Sequence, residues 1–177
     1  MGVVHNPIIV EDRFQEIFNY LPDMKFDVTK PAYPIKFAYG DEDELMIYLK
    51  TRETESVRPY PLIWLVYPLN EKHLKTRVEL RSASLILAVD TTKAGLNTER
   101  IKLNYKTILI PLYGNIVKAL TRANIVNLKH EFDIIKFPNY SQENTNGTLA
   151  KTISRWDALK VTFSCQIIDT CLKPIKI

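Results

Sequence analysis

The stretch from Leu159 to Ile167, Leu-Lys-Val-Thr-Phe-Ser-Cys-Gln-Ile, alternates strictly between apolar and polar side chains. Successive side chains of a β-strand point to opposite faces of the sheet, so this pattern predicts a strand with one buried face and one polar face. Such half-covered strands are typical of antiparallel sheets. Cys165 is predicted to lie on the core side of the strand.

Four further stretches predict strands of the same sheet: residues 45–52, 61–67, 76–91 and 130–137. The stretch 61–67 (Pro-Leu-Ile-Trp-Leu-Val-Tyr) is apolar on both faces, which predicts an interior strand covered on both sides. In 76–91 the apolar residues are even-numbered up to Leu80 and odd-numbered from Leu85. This change of parity predicts a bulge or bend between the two. Because bent strands can leave their sheet, we hypothesise that this one reaches towards a neighbouring molecule.

Two amphipathic helices are predicted, at 10–20 and at about 107–123. In the first, Phe14, Ile17, Phe18 and Leu21 share one helical face. In the second, the apolar stripe runs from Ile108 to Ala123 and contains Pro111, which is tolerated only near a helix start or at a kink.

The remaining segments predict irregular structure. They are a Pro-rich extended segment at 23–40 and exposed loops at 92–104 and 138–153. The strands are not regularly separated by helices, which argues against a doubly wound sheet. We therefore predict a single domain, 1–177, of the α+β class, with an antiparallel or mixed sheet and two helices packed on one face.

Composition fits an ordinary globular domain. The chain has 177 residues, 46% of them hydrophobic and 25% charged, and a formal net charge of +4. No stretch approaches the roughly 20 apolar residues that a membrane-spanning helix needs, and the N-terminus lacks the pattern of a secretory signal. We expect a soluble protein, intracellular when made, that does not act at a membrane.

Few residues suggest chemistry. His5, His73 and His130 are far apart in sequence and lack metal-ligand spacing, and Cys165 and Cys171 have no histidine beside them. We expect two free thiols, although a disulfide stays open. The five glycines are isolated, which excludes a phosphate-binding loop. Gly114, inside the second helix, is expected to permit close packing.

Acidic residues offer two further candidates for a cation site. Glu131 and Asp133 share one strand face near Lys136, as in some magnesium-dependent nucleases, but no suitable third carboxylate accompanies them. The acidic run 41–44 lacks the alternating ligands of a calcium loop, and we interpret it as a solvated turn or a contact for a basic partner. We therefore predict no catalytic, cofactor-binding or metal-ligating residues, no cofactor and no enzymatic activity.

Nucleic-acid binding is the alternative function. Basic residues are densest at Lys72, Lys75, Arg77 and Arg81, and aromatic residues alternate with cations in 30–39 and 58–67. Such stretches can stack on single strands. A mixed, solvated surface explains the same charges, because a nucleic-acid binder concentrates its cations on one face.

The order of the predicted elements resembles that of tail-terminator and neck proteins of tailed bacteriophages. The pieces are an N-terminal helix at 14–21, a Pro-opened apolar strand at 61–67, a long bent strand at 76–91, a helix at 108–123 and two closing strands at 130–137 and 156–169. The closing stretch from Arg155 to Asp169 is the most similar part. The Pro-rich segment 23–40 and the loop 92–104 have no counterpart in that order.

The resemblance implies a structural virion protein, made in the host cytoplasm. Such proteins form a homo-oligomeric ring at the head–tail junction or on top of the tail, where they contact neck, portal or tail proteins. The resemblance further implies that DNA passes through the ring without sequence-specific recognition. The bent strand and the loops at 92–104 and 138–153 would contact neighbouring subunits through head-to-tail interfaces.

Overall fold

A computed structural model of the chain describes residues 8–25, 32–54, 61–90, 96–140 and 156–176. In chain order the elements are helix α1 (Val10–Phe18), strand β1 (Lys36–Gly40), helix α2 (Glu42–Thr54), strands β2 (Leu62–Val66), β3 (Asn70–Leu74) and β4 (Arg77–Asp90), a long helix, and strands β5 (Val126–Tyr140) and β6 (Trp156–Ile168). The long helix has three parts: α3 (Asn97–Arg100), a π-helical part (Ile101–Leu109) and α4 (Ile110–Arg122).

The six strands form one mixed sheet in the order β1-β2-β4-β6-β5, and β3 also pairs with β4. β1 runs parallel to β2, whereas the other pairs are antiparallel. The predicted α+β class with a mixed sheet is therefore confirmed. β1 and β5 lie at opposite edges of the sheet.

The two strands with the clearest sequence patterns lie side by side in the middle of the sheet. β6 alternates between buried and half-buried residues from Leu159 onwards, as predicted. β4 shifts register between Leu80 and Ala83, and Ser82 has a φ of 55° there. The predicted bulge is confirmed, because an extra residue reverses which side chains face the core.

The bulge has a different consequence from the one we hypothesised. β4 pairs with β6 along its length, and on its other side it pairs first with β3 and then with β2. The bent strand thus stays inside the sheet and does not reach out of it. β2, which is buried at all five positions, is interior and covered on both faces, as predicted.

Helices pack on both faces of the sheet. α1, the π-helical part and α4 bury their apolar side chains in the larger core cluster, together with core-facing residues of β4 and β6. On the opposite face, Leu45 and Leu49 of α2 pack on a smaller cluster around Trp64 and Trp156. The prediction of two helices on one face was therefore incomplete, because α2 was not predicted as a helix and packs on the opposite face.

The segment 45–52 was wrongly predicted as a strand and is part of α2. Leu45 and Leu49 are buried one helical turn apart, whereas Ile47 is 65% exposed. The helix begins with a reciprocal cap: the Glu44 amide donates to Asp41 Oδ1 (2.7 Å), and the Asp41 amide donates to Glu44 Oε2 (2.9 Å). Such a cap supplies acceptors for two amides that lack partners at a helix start.

The second predicted helix begins about ten residues earlier than expected. Residues 96–104, assigned to a loop, are mostly helical, and 92–95 lie outside the described residues. Tyr105 and Arg100 are buried and fix this part of the helix to the sheet. Pro111 has no amide hydrogen, and it lies just after the π-helical part gives way to α-helix.

Other predicted boundaries also moved. The Pro-rich segment 23–40 includes β1 and a bridge between Met24 and Tyr33, while residues 26–31 lie outside the description. β5 extends beyond both ends of the predicted 130–137, and of the loop 138–153 only residues 138–140 are described. Apart from the backbone of its own helix, no atom of the described residues comes within 4 Å of a Cβ built on Gly114, so its predicted role in close packing is wrong. No described helix is long and apolar enough to cross a membrane.

Candidate functional site

β5 is a 15-residue strand at the edge of the sheet, and among the described strands it pairs with β6 alone. Its register with β6 shifts between Leu128 and Phe132 and again between Phe137 and Tyr140. Between these shifts the pairing is continuous. The outer backbone groups of residues 132–137 are therefore the regular part of an edge that could accept another strand.

Two large apolar side chains are exposed in this regular part. Ile134 is 40% exposed and Ile135 is 52% exposed, and they point to opposite faces. Phe132 is held from the core side by Tyr113, whose ring centroid is 6.0 Å away, and by Phe163 at 5.7 Å. Phe132 thus holds the edge strand to the core, whereas Ile134 and Ile135 are exposed to solvent.

A group of cations lies where α4 meets β5; we call it the basic corner. The C-terminal segment packs there, because Arg122 donates to the carbonyl oxygen of Lys176 and the Lys173 amide donates to Asn124 Oδ1 at 2.8 Å. Its five members are exposed: Lys118, Arg122, Lys129, Lys173 and Lys176. Residues 101–130 and 170–176 contain no acidic residue, so the corner carries a net positive charge.

A group of carboxylates lies at the other edge of the sheet, at the end of β1; we call it the acidic corner. Its members are Glu11, Asp41, Glu42, Asp43, Glu44 and Glu71. Three of them, Glu11, Asp41 and Glu71, line an open groove of about 510 Å³ together with Tyr67, Pro68 and Leu69. The Tyr67 amide donates to the Gly40 carbonyl oxygen at 2.8 Å, which places this groove beside β1.

Part of the acidic corner is tied to the fold. The Tyr67 hydroxyl donates a short hydrogen bond to Glu11, and burial followed by that bond raises the pKa of Tyr67. Lys160 lies 3.1 Å from Glu42, and His73 lies 2.8 Å from Glu71. Asp43 takes part in none of these contacts and is exposed. The groove therefore combines fixed aromatic and carboxylate groups with surplus negative charge.

The face of the sheet opposite α1 and α4 turns polar beyond α2. Thr162, Ser164 and Gln166 of β6 lie there half-buried, and the Ser84 and Thr162 hydroxyls are 3.0 Å apart. Gln166 donates to Glu79 at 3.2 Å. Three cations are exposed on neighbouring positions of the β3–β4 hairpin: Lys72, Arg77 and Arg81. This polar sheet face could contact a phosphate backbone without reading bases.

A buried ion pair lies beneath the start of the long helix. Arg100 is 6% exposed and Asp157 is fully buried, with 3.1 Å between Arg100 Nη1 and Asp157 Oδ1. Asn104 donates to the second carboxylate oxygen at 2.5 Å, and the Tyr105 hydroxyl donates to the Ala158 carbonyl oxygen at 3.2 Å. Burial and the Asp157 charge raise the pKa of Tyr105. These contacts orient the helix on β6 and leave no free acid or base.

The candidates for chemistry stay apart in the described structure. Glu131, Asp133 and Lys136 are exposed on the edge strand, and Lys136 lies 5.9 Å from the ring centroid of Tyr105. Within the described ranges, no three His, Cys, Asp or Glu residues are placed to hold a metal ion. Cys165 is buried as predicted, and neither it nor the exposed Cys171 forms a disulfide. His5 lies outside the described ranges.

Sequence reasoning found four of the six members of the acidic corner and none of the basic corner. The run 41–44 was recognised, whereas Glu11 and Glu71 join it only because α1 and β3 fold against the end of β1. The basic corner combines residues from α4, β5 and the C-terminal segment, which are up to 58 positions apart. A signal was nevertheless present, since no carboxylate occurs between Ile101 and His130.

The comparisons with known proteins add no assignment. No family model matches the chain, and no curated protein matches it in sequence.

Proposed function

We propose that this chain is a non-catalytic structural protein of a tailed bacteriophage virion, which assembles into a ring at the neck or tail. The ring joins head and tail and surrounds the DNA channel, and its outer contacts are with neck, portal or tail proteins. The proposal combines the resemblance in element order with one observation of the structure, the exposed apolar edge strand β5.

The edge strand supports assembly for a physical reason. Natural proteins protect a sheet edge with short strands, charges or bulges, because an open edge pairs readily with another chain. β5 has register shifts at both ends and the exposed charges of Asp133 and Lys136, but between those two charges its regular part, 132–137, presents Ile134 and Ile135. Exposed isoleucine on an open edge indicates a surface that is covered in the functional state.

The titration properties of the described residues fit a structural role. The pKa is clearly raised for Tyr67, Tyr105 and Cys165, and in each the first cause is burial. Catalytic groups are tuned towards neutrality, where they can exchange protons. The three raised pKa values lie farther from pH 7 than the ordinary values of these side chains, and the hydroxyl of each tyrosine is held by a hydrogen bond.

The oligomeric state tests the proposal. We expect the purified chain to form a discrete closed oligomer at micromolar concentration, measured by light scattering after size-exclusion chromatography and seen as rings by negative-stain electron microscopy. Addition of the neighbouring virion proteins should enlarge the particle without changing its symmetry. A chain that stays monomeric alone and with virion extracts would overturn the ring.

A nucleic-acid-binding module is the second candidate, because Lys72, Arg77 and Arg81 lie together on the polar sheet face. If this is the function, the monomer binds DNA with an affinity that falls steeply with salt, and Arg77→Ala with Arg81→Ala reduces the salt slope by about two phosphate contacts. If the chain instead forms the proposed ring, its monomer should bind DNA weakly. Strong DNA binding by a stable monomer would favour the second candidate.

A further inference from the structure

We infer that the acidic corner of one subunit docks on the basic corner of the next copy of the same chain. This inference rests on the proposed ring and names the surfaces that close it. The corners belong to opposite edges of one sheet, since the acidic groove lies beside β1 and the basic corner lies at the start of β5.

The signs of the charges select the kind of contact. In a two-fold dimer each surface patch meets the same patch of its partner, so an acidic corner placed on the axis would face another acidic corner. Like charges brought together at an interface are costly. A contact between the acidic corner of one copy and the basic corner of the next joins unlike charges, and it is head-to-tail when each copy uses its two corners on two different neighbours. Repetition of a head-to-tail contact gives a ring when the rotation closes.

The second copy is the partner whose chemistry this chain itself supplies. The groove between Glu11, Asp41 and Glu71 is open and carries the Tyr67 ring on its wall, next to the exposed Tyr39 ring at a centroid distance of 5.9 Å. Carboxylates beside aromatic rings suit lysine and arginine side chains, which gain from both. The basic corner presents five such side chains with no carboxylate among them.

Exposed apolar groups lie at both edges of the sheet and can be buried by the same contact. Tyr39 is 51% exposed beside the acidic groove. Ile134 and Ile135 are exposed on the strand that begins at the basic corner. A charged rim around an apolar centre is the usual anatomy of a specific interface. The charges thus set the orientation of the two subunits, and the exposed isoleucines of the edge strand supply apolar surface that the contact buries.

Charge-reversing substitutions test the inference in two variants. The first carries Asp43→Lys and Glu71→Lys, which leave the Asp41–Glu44 cap and the Tyr67–Glu11 bond intact and remove the exposed contact between Glu71 and His73. The second carries Lys118→Glu and Lys129→Glu, which leave the Arg122 contact with the C-terminal segment intact. Lys102→Glu with Lys106→Glu is the matched control, because both lysines are exposed on the same helix away from its C-terminal end. Unchanged far-ultraviolet circular dichroism checks that each variant is folded.

We expect each corner variant to need at least about tenfold more protein for half assembly, measured by sedimentation velocity at low salt. The control should assemble like the unchanged chain. An equimolar mixture of the two corner variants should form a one-to-one complex, because the unchanged acidic corner of the second variant then meets the unchanged basic corner of the first.

The outcomes separate this inference from the ring proposal. If the unchanged chain forms rings and the corner variants form them equally well, or if the two variants form no one-to-one complex, the corners do not meet. If the unchanged chain forms no oligomer alone or with virion extract, the ring itself fails. Loss of DNA binding in the Lys118 and Lys129 variant, with the unchanged chain monomeric, would assign the basic corner to nucleic acid.

Discussion

The Arg100 guanidinium donates to the Asp157 carboxylate at 3.1 Å, and the two side chains are 6% and 0% exposed. Arg100 lies at the end of α3 and Asp157 near the start of β6, so this pair fixes the long helix to the central sheet. Asn104 satisfies the second carboxylate oxygen. A buried pair of this kind is stable only while both members are present.

Removal of one member should therefore destabilise the fold strongly. We expect Asp157→Ala to lower the free energy of unfolding by about 3–5 kcal/mol, because the buried Arg100 would lose its carboxylate partner. The combined change Arg100→Met with Asp157→Leu should cost less than the two single changes added together. Urea denaturation followed by circular dichroism measures all three.

The control for that prediction is the exposed pair of Lys160 and Glu42, which lies 3.1 Å apart. Glu42→Gln should change the free energy of unfolding by at most about 1 kcal/mol, because solvent screens exposed ion pairs. Equal effects of Asp157→Ala and Glu42→Gln would show that the buried pair does not hold the helix.

Two glycines should respond oppositely to alanine. A Cβ on Gly40, where φ is 150°, would lie 2.9 Å from a ring carbon of Trp64 and within contact of the Glu44 carboxylate, so Gly40→Ala should destabilise the chain. Gly114 lies in α4 with open space around it, so Gly114→Ala should stabilise the chain by about 0.5–1 kcal/mol. Thermal unfolding of the two variants measures the sign of each change in stability. A stabilising Gly40→Ala would contradict the packing described for Trp64.

The sequence predicted those elements whose apolar pattern is local and one-sided. β6 and α1 each bury one face against the core, so the alternation of β6 and the helical spacing of α1 can be recognised from their own residues. The bulge in β4 was also predictable, because a register shift changes the parity of the buried side chains. These patterns require no knowledge of the rest of the chain.

α2 could not be recognised from its apolar residues. Residues 45–49 (Leu-Met-Ile-Tyr-Leu) are apolar without a break, so neither strand nor helical spacing stands out. The sheet decides the outcome by burying Leu45 and Leu49 and leaving Ile47 outside. The cap formed by Asp41 and Glu44 was the local signal that could have identified the helix.

The candidate site was the least predictable part. Glu11, Asp41 and Glu71 come from three elements, and only the parallel pairing of β1 with β2 brings the end of β1 next to Tyr67. A single sequence shows which residues are charged, but not which edge of the sheet each one reaches.

The two cysteines should differ in reactivity. Burial raises the pKa of the Cys165 thiol from 9.0 to about 12, while Cys171 is exposed in an open groove beside α1. Since the thiolate is the reactive form, native protein at pH 8 should lose one thiol quickly to iodoacetamide and the second only after unfolding. Peptide mass spectrometry identifies the modified residue, and rapid labelling of Cys165 in folded protein would contradict its burial.

The raised pKa of Cys165 also gives a sign for alkaline stability. Its folded pKa lies above that of the unfolded chain, so the unfolded state loses its proton first as the pH rises. The contribution of Cys165 is therefore complete below pH 9 and is lost between pH 9.0 and about 12. Cys165→Ala should show a shallower fall of the unfolding free energy across this interval, in urea titrations at fixed pH. An equal slope in both proteins would indicate that the thiol is solvated in the folded state.

The edge strand gives the most direct test of assembly at a single residue. Ile135 pairs across the sheet with Lys160 and is 52% exposed, so Ile135→Glu places an opposite charge beside Lys160 and should change the free energy of unfolding by about 0.5 kcal/mol or less. In a strand-to-strand contact the same carboxylate would be buried, so assembly measured by light scattering should be lost. Ile47→Glu on α2, at 65% exposure, is the control and should assemble normally. If both variants assemble alike, the edge of β5 lies outside the contact between subunits, and a different surface must join them.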